Sequence, residues 1–109
     1  MATSKEILEN QIPEKLKANP ALLTEINSVI VFDITGEGGG KWTVDLTKPE
    51  GWVTAGAADN AKMTVSASND DFAKIVAKQL NAQMAAMQGK LKFKPMDMGL
   101  AMKLAKLIG

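Results

Sequence analysis

Hydrophobic and polar positions follow two different periods along this chain, and each change of period marks a predicted element. Near the start, Ile7, Leu8 and Ile12 share one stripe of a helix that Ser4 can cap, and Pro13 and Pro20 each suit the first turn of a short following helix. From Ser28 the period becomes that of strands. "SVIVFDIT" (28–35) is rich in β-branched residues around Phe32, and "KWTVDL" (41–46) sets Trp42, Val44 and Leu46 against Lys41, Thr43 and Asp45. The glycines between them predict a hairpin. "GWVTAG" and "AKMTVS" come after the turn-like "TKPEG" and "AADN", and the second alternates Met63 and Val65 with Lys62, Thr64 and Ser66. Alternation of this kind predicts a sheet with one face in water.

At Ser68 the helical period returns. Ser68 with Asp71 makes a near capping box, followed by Phe72, Ile75 and Val76 on one face. Asn81 can cap a further short helix carrying Met84 and Met87, which Gly89 ends. "KLKFK" (90–94) then alternates strictly, Leu91 and Phe93 one way and Lys90, Lys92 and Lys94 the other, and Asp97 caps a final helix. The order is helices, four strands, a helix pair, a strand and a helix. That is an α+β pattern without internal repeats.

The final helix is apolar over most of its circumference. At about 100° per residue, Gly99, Lys103 and Lys106 occupy a narrow wedge. Leu100, Leu104, Leu107 and Ile108 run along one side, and Met98, Ala101, Met102 and Ala105 extend the apolar arc. A surface helix needs an apolar stripe only somewhat over about 100° wide, so this one has a second apolar surface to cover. Burial between two layers is one reading. The other is a cavity wall, in which thioether side chains accept ligands of variable shape, and Met84 and Met87 then join it.

Composition narrows the chemistry. The chain has 109 residues, read as one domain over 1–109, and no apolar run reaches the roughly 20 residues that cross a bilayer. "MATSKEILEN" is a polar amphipathic start and not a signal peptide. His, Cys, Tyr and Arg are all absent, which removes most general bases, thiol nucleophiles and zinc ligands, so neither catalysis nor a metal or other cofactor is expected. "GEGGGKW" lacks Ser or Thr after its lysine and leads into a strand, so it reads as a hairpin turn and not a phosphate loop. Asp70 and Asp71 sit in the first turn of a helix, where carboxylates are favoured without any catalytic role. The net charge of +1 hides a basic C-terminal third. Lys90, Lys92, Lys94, Lys103 and Lys106 are candidates for contact with an anionic membrane surface; without arginine or stacked aromatics, nucleic acid is not an expected partner.

The segments "DITGEGGGKW" (33–42), "NDDF" (69–72), "QGKLK" (88–92) and "MGLAMKL" (98–104), in this order and spacing, resemble the sterol carrier protein type-two domain, the non-specific lipid-transfer family. The resemblance covers nearly the whole chain. It implies a five-stranded mixed sheet with helices over one face and an apolar tunnel between the layers. That tunnel takes fatty acyl chains, fatty acyl-CoA, sterols or phospholipids with low selectivity and no catalysis. By the same pattern Phe72, Val76, Met84, Met87, Met98, Ala101, Met102 and Ala105 line the tunnel, and Phe32, Trp42 and Met63 form its floor. The chain departs from the pattern at Ala82, where the family often has Asn-Pro, and at "KPMD", where it has Gly-Asp; the approach of the last helix is expected to differ. The ending Leu107, Ile108, Gly109 lacks the peroxisomal tripeptide of some relatives, so a cytoplasmic monomer is expected, with a dimer allowed. The competing classes are a lipid-free module whose Met-rich C-terminal surface docks a partner or oligomerises, and an enzyme built on lysines and carboxylates.

Overall fold

The computed structural model describes residues 3–108. Its first helical layer is one continuous rod in three parts: α1 (Ser4–Glu6), a π-helical turn (Ile7–Gln11) and α2 (Ile12–Ala18). The Ile12 amide reaches back five residues to the Ile7 carbonyl, and this wide turn lets Ile7, Leu8, Ile12 and Leu16 all enter the core. The cap is Thr3 and not Ser4: Thr3 Oγ1 accepts from the Glu6 amide at 3.2 Å. Ser4 is fully buried instead, and its amide and hydroxyl both donate to Asn69 Oδ1, at 3.2 and 2.5 Å. A tertiary partner has claimed the hydroxyl, so the helix starts one residue earlier than local spacing suggests. Pro13 stands in the first turn of α2 and Pro20 just before α3 (Ala21–Ile26), as expected.

Five strands follow: β1 (Val29–Thr35), β2 (Gly40–Asp45), β3 (Val53–Ala55), β4 (Met63–Ser68) and β5 (Leu91–Lys94). Their order is β3-β2-β1-β4-β5, with β1 and β4 parallel and every other pair antiparallel, so the sheet is mixed as the resemblance implies. The glycine run closes the β1–β2 hairpin, and a side chain on Gly39 would collide with the Ile34 carbonyl.

One sheet face carries Ile30, Phe32, Ile34, Trp42, Val44, Met63, Val65, Ala67, Leu91 and Phe93, all in the core. The other carries Asp33, Thr64, Ser66, Lys92 and Lys94, and it is not wholly wet. Thr43 Oγ1 donates to the Gly56 carbonyl at 2.7 Å and accepts from the Ala58 amide at 2.9 Å, so the loop after β3 folds over Thr43 beside buried Val31.

The helices lie on the apolar face. Ser68 Oγ caps α4 (Asn69–Val76) by accepting from the Asp71 amide at 3.1 Å. Phe72 projects into the core with its ring centroid 5.8 Å from that of Phe32, in a tilted contact. Asn81 caps α5 (Ala82–Met87) and Asp97 Oδ1 accepts from the Leu100 amide at the start of α6 (Met98–Ile108), each at 3.1 Å. Among the described residues no helix is long and apolar enough to cross a membrane.

Candidate functional site

The two last helices make the site. The α4 helix ends at a turn in which Lys78 adopts a left-handed backbone, φ 64°, and Asn81 then starts α5. Gly89, φ 76°, ends α5 after six residues and turns the chain into β5. On α6, Leu100, Leu104, Leu107 and Ile108 face the core, while Met98 and Met102 stay 66% and 65% exposed. Ala101 and Ala105 lie between these two sides. On α5 the matching small residues are Ala82 and Ala86, one helical turn apart.

Small side chains on both walls leave space between them. A groove of about 240 Å³ runs between α5 and α6, lined by Ala82, Gln83, Ala86, Phe93, Met98, Ala101, Met102 and Ala105. A second hollow of about 400 Å³ lies beside it, lined by Ile75, Lys78, Leu80, Asn81, Ala82, Gln83 and Ala105. Ala82, Gln83 and Ala105 belong to both, so the two form one groove with an apolar and a polar limb. It is open along its length, with Met98 and Met102 on its rim. Among the described residues no carboxylate lines either limb. What the groove offers chemically is an apolar trough with one ammonium and two amides at one end.

The sequence-derived lining residues divide into three groups. Met98, Ala101, Met102 and Ala105 come together in the apolar limb. Phe32, Phe72, Met63 and Trp42 are closed into the core and touch neither limb. The Trp42 indole donates to Glu9 at 3.0 Å. Val76 is half-buried against that core. Met84 and Met87, 50% and 78% exposed, lie outside both limbs, and their helix turns Ala82, Gln83 and Ala86 toward the groove instead. Those three were missed: the Ala82/Ala86 spacing is visible in the sequence, but that it stands opposite Ala101 and Ala105 is not.

The lysines do not form one face. Lys92 and Lys94 stand on the outer sheet face, opposite Ser66 and Thr64. Lys103 and Lys106 stand on the helical side, and the Lys106 ammonium pairs with Glu25 at 2.7 Å. Strand alternation sends one group of candidate lysines away from the helices that carry the other. Lys90 is exposed in the turn before β5. Near the polar limb, Lys15 of α2 is held below the usual lysine range, first by burial and then by the positive charge of Lys78.

A larger hollow of about 500 Å³ lies toward the β3 edge, with Glu9, Lys17 and Glu50 around it. Three charges make it a poor seat for an apolar chain. Among the described residues no cluster of His, Cys, Asp or Glu is placed to hold a metal ion.

The model of the SCP-2 sterol transfer family matches residues 9–109. Hydroxysteroid dehydrogenase-like protein 2 of Pongo abelii is 43% identical over 82 residues, covering 74% of this chain and 19% of that protein. The chain thus spans about a fifth of the length of that curated relative. The solution structure of palmitated SCP2L2 from Aedes aegypti is 28% identical, with a TM-score of 0.78 over 98% of this chain and 95% of that one. The crystal structure of Sterol Carrier Protein 2 Like 2 from the same organism, also 28% identical, has a TM-score of 0.77 over 94% of each chain.

Proposed function

The chain belongs to the SCP-2 sterol transfer family, and on that premise we propose that it is a lipid carrier that holds an apolar chain in the groove between α5 and α6, with low selectivity and without catalysis. The observation that carries this reading is the apolar limb itself. Its walls are alanine, its floor is Phe93, and its rim is two exposed methionines. Exposed methionine on a groove wall suits cargo of variable shape, because an unbranched thioether repacks at little cost. Fatty acyl chains, fatty acyl-CoA, phospholipids and sterols all present such a surface. The palmitate named for the Aedes aegypti relative supports an acyl chain as cargo.

The test is a titration of delipidated protein with fatty acids of increasing length. Each buried methylene contributes about 0.8 kcal/mol, so affinity should rise about fourfold per added carbon until the groove is full. Affinity that ignores chain length would overturn the reading. A lipid-free docking module is the second reading, favoured by the exposed Met84, Met87, Met96, Met98 and Met102. It requires purified protein that carries no lipid and oligomerises with concentration, which native mass spectrometry reads directly.

A further inference from the structure

We propose that the polar limb of the groove, between the end of α4 and α6, seats the anionic headgroup of the cargo, a carboxylate or a phosphate ester, with the Lys78 ammonium as its counter-charge. This rests on the groove being the lipid site. An acyl chain laid in the apolar limb against Phe93 and Ala101 can continue past Ala82 and Ala105 into the limb that Lys78, Asn81 and Gln83 line. An anionic amphiphile is the ligand whose two ends match those two limbs.

Three observations bear on Lys78 in particular. Its backbone is left-handed, a conformation disfavoured for a residue with a side chain, so the fold holds this lysine where glycine would relax the chain. Lys15 on α2 lies close enough for the two positive charges to oppose each other, and Lys15 is partly buried as well. Among the described residues neither ammonium has a carboxylate within ion-pair distance, unlike Lys106 with Glu25. The Lys78 ammonium, at the polar end of an apolar trough and without a carboxylate partner among the described residues, attracts an anion. The amides add donors: Asn81 commits its Oδ1 to the Met84 amide, which leaves its NH₂ group to donate, and Gln83 lines both limbs.

The experiment compares three probes with the same sixteen-carbon chain, hexadecanoate, hexadecyl phosphate and hexadecanol, on the parent chain and on Lys78→Gln and Lys78→Gly. Since Lys78 is exposed, its pull is screened, and each anion should bind the parent about tenfold tighter than the alcohol. Which anion gains more identifies the headgroup class. Both substitutions should erase the preference and leave hexadecanol affinity unchanged, while Lys41→Gln on the distant hairpin, with the same loss of charge, should keep it. The glycine variant suits the left-handed backbone, so it should fold at least as well as the parent, and loss of preference in it cannot be blamed on misfolding. An unchanged anion-to-alcohol ratio in either Lys78 variant overturns the headgroup seat. Failure of all three probes to bind the parent overturns the carrier reading instead.

Discussion

Phe72 on α4 and Met102 on α6 come from two helices laid over one sheet, yet the first is fully enclosed and the second is 65% exposed. Around Phe72 the core is closed: its ring meets that of Phe32 in a tilted contact, and Ile75 and Val65 are buried in the same cluster. Around Met102 the groove is lined largely by alanines, and none of the described residues fills the space they leave. An apolar side chain in the first setting stabilises the fold. In the second it borders a groove that the described residues leave open. The two regions share one sheet and one composition, so what separates them is the size of the residue opposite.

The sharpest way to break this comparison is to truncate both sides. Phe72→Ala should cost about 3–5 kcal/mol, and Met102→Ala less than about 0.5 kcal/mol, in denaturant unfolding. Similar losses would mean that Met102 is ordinary core. Enlargement probes the same contrast with a smaller effect. Leu104→Trp, in the packed side of α6, should destabilise by about 1–3 kcal/mol. Met102→Trp should leave stability within about 0.5 kcal/mol and, by occupying the groove, weaken displacement of a fluorescent fatty acid.

Next in size is the cap of the open side. Asn81→Ala removes the acceptor for the Met84 amide and should cost about 1 kcal/mol, seen as faster amide exchange through α5 while α4 is unchanged. Uniform exchange across both helices would show that the open side is as firmly held as the closed one. The smallest effect concerns charge. Lys106→Gln breaks an exposed ion pair worth less than about 1 kcal/mol and should barely move the melting temperature. If the helical side meets anionic vesicles, the double change Lys103→Gln and Lys106→Gln slows lipid transfer and the pair Lys92→Gln and Lys94→Gln does not. Equal slowing would mean that no one face docks, and no slowing by either pair would mean that the lysines play no part in transfer.

Much of this was legible in the spacing of residues. The strands, the caps at Ser68, Asn81 and Asp97, and the grouping of Met98, Ala101, Met102 and Ala105 follow from local period and side-chain chemistry alone. What spacing could not show is what stands opposite. Phe32, Phe72 and Met63 have the same apolar character as Met102, and only the assembled layers reveal that their partners are large enough to close over them. Ser4 was misread for the same reason: its hydroxyl is claimed by Asn69, far along the chain. Spacing likewise left open how Lys92 and Lys94 stand relative to Lys103 and Lys106, because a strand and a helix each sort their own charges without reference to the other.

The parallel pairing of β1 with β4 sets an order of events in folding. β1, β2 and β3 form a local meander, but Ile30 must find Met63 across that whole meander before β4, β5 and the last two helices have a surface to cover. Distant pairings of this kind form late, because the intervening chain must be ordered first. Both tryptophans belong to the early part: Trp42 lies on β2 and Trp52 just before β3. The groove lies against β5, three strand spacings from β2, or about 14 Å. Intrinsic fluorescence should therefore recover during refolding before the protein gains any capacity to bind a lipid probe. The tryptophan signal follows the meander and does not follow occupancy of the groove.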